Sequence, residues 1–158
     1  MNTWTLSPQD KSQIKDLRSF LPARAFDIHA HLYNTRDFPK GKHNQYGGPA
    51  LVTPAVWRRQ VGAQLNPARL AGALLIPIPT HPAAAEKGNA FVLESLRREP
   101  TCRGLILITP RMPRAQVMDY LRHPSLVGFK PYHLLSGRPN SYEAPLASYL
   151  PEWAWEIA

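Results

Sequence analysis

The chain has 158 residues, 44% of them hydrophobic and 19% charged. These proportions suit one folded domain and exclude wholesale disorder. The length falls short of the roughly 250 residues of a complete eight-stranded β/α barrel. Cys102 is the single cysteine, which excludes an intrachain disulfide and any multi-cysteine zinc or iron–sulfur site. No apolar run approaches the ~20 residues that span a bilayer, and the opening MNTWTLSPQDK lacks the apolar centre of a signal peptide. A cytoplasmic protein with no membrane partner is the expectation.

Nineteen Lys and Arg against eleven Asp and Glu give a formal charge of +8. The basic residues are scattered, with Arg58-Arg59 and Arg97-Arg98 as adjacent pairs. They form no helical stripe and accompany no nucleic-acid-binding signature, so no nucleic-acid partner is expected. A small basic module for an acidic partner is the reading the charge leaves open, and it predicts salt-sensitive binding.

Prolines punctuate the chain. Ser7-Pro8-Gln9-Asp10 reads as a helix start, with Ser7 as cap, Pro8 in the first helical position and Asp10 three residues on. That helix runs to about Phe20 within a lead-in over 1–24. Ala25 to Tyr33, AFDIHAHLY, alternates apolar and polar residues as a strand does, with Phe26, Ile28, Ala30 and Leu32 turned toward helices. A long loop follows over 34–54, where His43 is a surface residue. Thr53-Pro54 starts a second helix with Val56, Trp57 and Val61 as its apolar members.

A repeated rhythm comes next. Leu70 to Ile78 and Gly104 to Thr109 are almost unbroken apolar runs, as expected of strands buried on both faces, and Leu126 to Tyr132 is a third strand. Ala83 to Arg98 is helical in pattern, with Ala90, Leu93 and Leu96 on one side. Arg114 to Leu121 is a short helix with Val117, Met118 and Leu121 inward. Pro145 to Ala158 again reads as helix, with Trp153 and Ile157 four apart. Strand–helix alternation with short connections predicts an α/β fold of about four parallel strands joined by right-handed crossovers. The apolar, helix-patterned ending WAWEIA suggests the N-terminal portion of something longer.

Asp27-Ile28-His29-Ala30-His31 carries the chemistry. Residues two apart on a strand share a face, so Asp27, His29 and His31 are expected to project together. Two imidazoles at that spacing can meet one divalent ion. The pair falls at a predicted strand end, where parallel α/β sites form, and the long loop follows directly. The plainer reading is a half-buried strand with its polar side in solvent.

The segment resembles the first strand of the amidohydrolase superfamily, in particular the amidohydrolase-related group of metal-dependent hydrolases and decarboxylases. NAFVLESLRREP (Asn89 to Pro100) resembles the helix after that family's second strand, LVGFKPYH its fourth strand, and YLPEWAWEIA the helix after it. The resemblance implies the N-terminal half, about four βα units, of a TIM-type barrel. It implies a small carbonyl- or carboxylate-bearing substrate, hydrolysed or decarboxylated with a divalent metal, most often zinc. His29 and His31 match the family's first-strand ligands. Asp27 would orient an imidazole, and Lys130 would contact metal or substrate. The family's later ligands, a His on strand five, often one on strand six, and an Asp on strand eight, have no counterpart here.

Three further residues are candidates for contact with substrate. Tyr33 follows the His pair, His81 ends the second strand, and His133 follows Lys130. Cys102 and His123 read as structural and surface residues. A half-barrel alone would expose strand edges and apolar faces, and would self-associate as a homo-oligomer or need a partner that completes it.

Overall fold

The computed structural model describes residues 4–39 and 48–158. His43 lies outside the described residues. Five strands, β1 (Ala25–Asn34), β2 (Leu51–Val52), β3 (Leu70–Pro77), β4 (Arg103–Leu107) and β5 (Leu126–Lys130), form one sheet in the order β2-β1-β3-β4-β5. β1, β3, β4 and β5 are parallel, and the two-residue β2 pairs antiparallel with Tyr33 and Asn34 at the end of β1. The 34–54 stretch thus contains a strand and a 3₁₀ turn, Thr35–Asp37, rather than loop alone.

Among the described residues four α-helices accompany the sheet: α1 (Pro8–Leu17), α2 (Pro54–Leu65), α3 (Ala85–Arg98) and α4 (Arg114–Leu121). Ser7 and Asp10 close a reciprocal capping box: the Asp10 backbone N–H donates to Ser7 Oγ at 3.1 Å, and the Ser7 N–H donates to Asp10 Oδ2 at 2.8 Å. α1 stops at Leu17, short of Phe20, and buries no residue. Thr53 caps α2 by accepting from the Val56 N–H. No helix among the described residues is long and apolar enough to cross a membrane.

The core lies between the sheet and its helices. Ala30, Leu32, Leu75, Ile106, Ile108 and Leu126 from the sheet segments pack with Trp57, Val92, Leu96 and Val117 from α2, α3 and α4. Of the three residues expected inward on α3, Leu96 is buried and Leu93 packs against the core, and only Ala90 departs. Ala85, Asn89, Val92 and Leu96 are buried, while Ala90 is exposed. Met118, expected inward on α4, is 43% exposed. Gly104 lets α3 approach β4: a Cβ there would lie 2.5 Å from Leu96 Cδ1.

β3 and β4 pair through only two registered positions, Leu74 with Arg103 and Leu75 with Gly104. Beyond them the buried Asn89 of α3 takes over. Its Nδ2 donates to the Leu107 carbonyl and its Oδ1 accepts from the Leu107 N–H, both at 2.8 Å. One side chain therefore satisfies the strand backbone where the ladder has ended.

The expected helix over 145–158 is not formed. Two 3₁₀ turns, Leu146–Ser148 and Glu152–Ala154, stand in its place, each entered from an extended proline, Pro145 or Pro151. A proline inside the segment removes a helical donor and pushes the preceding residue out of the helical region. The apolar residues still reach the core: Leu150 and Ala154 are buried, and Trp153 and Ile157 pack against them.

Candidate functional site

The first strand does not keep its alternation. Asp27 registers with Ala73 and Ala30 with Leu75, so β1 carries three steps against two on β3. One extra residue makes a bulge. Asp27 and Ala30 then fall on one face, the face packed by helices, while His29 and His31 remain on the other. The expectation that Asp27 shares a face with both histidines is corrected by this insertion. The bulge also leaves Ile28, expected under the helices, 76% exposed, and Phe26 is 44% exposed.

Asp27 has two partners that fix it. Trp57 Nε1 of α2 donates to Oδ2 at 2.8 Å, and the His29 backbone N–H donates to Oδ1 at 3.0 Å. Asp27 thus orients the His29 backbone at the bulge and not an imidazole ring. Trp57 is 4% exposed, and a buried indole N–H needs an acceptor. The sequence marked Trp57 as a core residue, and its polar end was the signal for this contact.

The two imidazoles converge. His29 Nε2 and His31 Nε2 lie 3.1 Å apart, with ring centroids 4.8 Å apart. Lys130 Nζ, from the far end of the sheet order, reaches to 3.1 Å from His29 Nε2. The single lone pair of that nitrogen accepts from Lys130 or from His31, not from both. Burial, with the neighbouring His29 and Lys130 charges adding to it, pushes the His31 pKa down to about 4, and backbone groups of Ile76 and Pro77 oppose the shift in part. His31 Nδ1 is buried and has no partner at hydrogen-bonding geometry among the described residues. Desolvation also lowers the Lys130 pKa.

This donor pair has the spacing a metal requires. Two nitrogens each roughly 2.0–2.1 Å from one zinc ion lie about 2.9 Å apart at a right angle and about 3.3 Å apart at the tetrahedral angle. The observed 3.1 Å falls between them. A neutral His31 offers the lone pair that ligation needs. The set is nevertheless partial: among the described residues, no three His, Cys, Asp or Glu side chains gather as a metal-holding group.

The remaining candidates divide. Tyr33, with Trp4, Asp27, His29, His31 and Trp57, lines a cavity of about 610 Å³ along β1, and its ring packs on Phe38 at 5.6 Å. His81 is turned elsewhere. Its Nδ1 accepts from the Ala83 N–H at 3.2 Å, and it lines a separate cavity. His133 is held by its own loop: Nδ1 lies 3.2 Å from the Ser141 carbonyl oxygen, between the rings of Tyr132 and Tyr142. His29, His31 and Lys130 are therefore brought together with Tyr33 and Asp27 nearby, and His81 and His133 are not part of that group. Cys102 is fully buried, and burial raises its thiol pKa, which suits a structural residue.

Neither protein-family models nor the curated proteins contain a match to this chain.

Proposed function

We propose that this chain is the N-terminal half of a metal-dependent barrel of the amidohydrolase type, one that hydrolyses or decarboxylates a small carbonyl- or carboxylate-bearing substrate. The observation that carries the reading is the 3.1 Å approach of His29 Nε2 and His31 Nε2. The sheet order supports it. In sequence order the four parallel strands are neighbours without a reversal, as in a barrel, whereas a doubly wound sheet reverses its order and takes helices on both faces. The face opposite the helices carries the two histidines and Lys130, where a barrel has its interior.

In this reading His29 and His31 hold a divalent metal, most often zinc in this family. When bound, such an ion polarises a carbonyl and lowers the pKa of its water to about 7. Asp27, held by Trp57, keeps the bulge that aims His29. Lys130, neutral or charged, offers a donor to a substrate oxygen beside the pair. Two histidines are an incomplete ligand set, so further ligands and a base come from the complementary half of the barrel.

Zinc calorimetry tests the reading. Metal-free protein is expected to take up one zinc ion per chain, and His29→Ala or His31→Ala to weaken uptake at least about tenfold, as loss of one of few ligands should. Equal uptake by wild type and both variants would remove the metal site from the account.

A further inference from the structure

A second cavity, of about 530 Å³, lies beyond the C-terminal ends of β3 and β4 and shares no lining residue with the one at the histidine pair. It is lined by His81, Glu86, Thr109, Arg111, Met112 and Leu135, among others. Ligand sites of parallel sheets form at this edge. Several of its polar groups are unspent. Arg111 and Glu86 share the cavity, yet neither makes an ion pair with a described residue. Thr109 is only 6% exposed, and its hydroxyl makes no hydrogen bond to any described residue. Such a hydroxyl at the cavity wall is free to donate to, or accept from, a ligand that enters.

His81 is prepared as a donor. Its Nδ1 accepts the Ala83 N–H, which requires the proton to sit on Nε2 in the neutral ring. The 3₁₀ turn Pro82–Ala84 that follows leads into α3, whose N-cap Ala84 has no side-chain hydrogen bond to offer its first N–H groups. The positive end of that 14-residue helix is thus tempered in its first turn by Glu86 alone.

We propose that this cavity binds a small oxyanion, a carboxylate or a phosphate group, held by the Arg111 guanidinium, the His81 Nε2–H and the Thr109 hydroxyl. Glu86 at the rim disfavours a bare dianion and favours a ligand carrying a hydroxyl or amino donor beside its anionic group. The site is distinct from the histidine pair and does not depend on a metal.

The test is a titration of the full chain in EDTA at low salt, followed by heteronuclear NMR, with inorganic phosphate and glycolate as separate probes. At least one is expected to bind with a Kd below about 10 mM and to move the amides of Thr109, Arg111 and Ala83. Glycolate alone would assign a carboxylate ligand, and phosphate alone a phosphorylated one. Arg111→Gln, a change at an exposed position that leaves the core intact, is expected to weaken binding about tenfold. Glu86→Gln is expected to tighten phosphate binding. No saturable shift with either probe would overturn the proposal, as would unchanged affinity in Arg111→Gln. Because EDTA is present throughout, such a failure would leave the metal reading untouched.

Discussion

Replacing Asn89 by alanine removes a side chain that satisfies both polar groups of Leu107. The residue is fully buried, and its two 2.8 Å hydrogen bonds run to backbone atoms at the point where the β3–β4 ladder has already ended. No strand stands ready to replace it. A buried donor or acceptor left without a partner costs about 1–3 kcal/mol, so the pair sets a range of about 2–6 kcal/mol. A water entering the space left by the amide would recover part of this, which makes about 2–4 kcal/mol the expected loss. For a domain of this size that corresponds to a fall in Tm of roughly 5–15 °C. Urea unfolding followed by circular dichroism reads it directly, as a lower midpoint with an unchanged slope. Asn89→Asp should cost at least as much, because an acceptor then faces the Leu107 carbonyl. A loss below about 0.5 kcal/mol in Asn89→Ala, the level of an ordinary surface change, would refute the assignment of Asn89 as the plug of the sheet.

Other outcomes follow from the same packing. Trp57→Phe keeps most of the buried ring but strips the donor from Asp27, so a loss of about 1.5–3 kcal/mol is expected by urea unfolding, together with weaker zinc uptake by calorimetry; stability and uptake both unchanged would contradict the role given to the Trp57–Asp27 contact. Gly72→Ala should destabilise more than Gly104→Ala, because a Cβ at Gly72 meets the Thr101 backbone oxygen, whereas one at Gly104 meets the movable end of Leu96; thermal melts of the two variants rank them. In metal-free protein His31 is held neutral, with its pKa down at about 4 from an ordinary 6.5. The unfolded chain takes up the proton first, so stability present above pH 6.5 is lost as pH falls toward 4, by at most about 3 kcal/mol. His31→Gln should flatten that part of a urea-midpoint profile against pH, and an unflattened profile would place the acid sensitivity elsewhere.

The parallel strands were legible because each is an apolar run of strand length set between helix signals, and Ser7 and Thr53 announced their helix starts through capping chemistry. What local pattern concealed was register. AFDIHAHLY reads as perfect alternation, and only pairing with β3 reveals the extra residue that separates Asp27 from the histidines and leaves Ile28 in solvent. The C-terminal segment shows the converse. Its spacing of Trp153 and Ile157 suited a helix, but Pro151 broke the hydrogen bonding while leaving those residues packed on the core. Lys130 lies 101 residues from His29, so their approach could be expected only by resemblance. Asn89 carried no local sign of its task, since the gap it fills exists only once β3 and β4 have diverged.

The central claim is that His29 and His31 are two ligands of one metal ion. Crystals of the zinc-loaded protein, measured on both sides of the zinc absorption edge, test it most directly. An anomalous peak is expected within bonding distance of both Nε2 atoms, with Asp27 still bonded to Trp57. Zinc bound elsewhere, or bound to one imidazole with the other turned away, would contradict it.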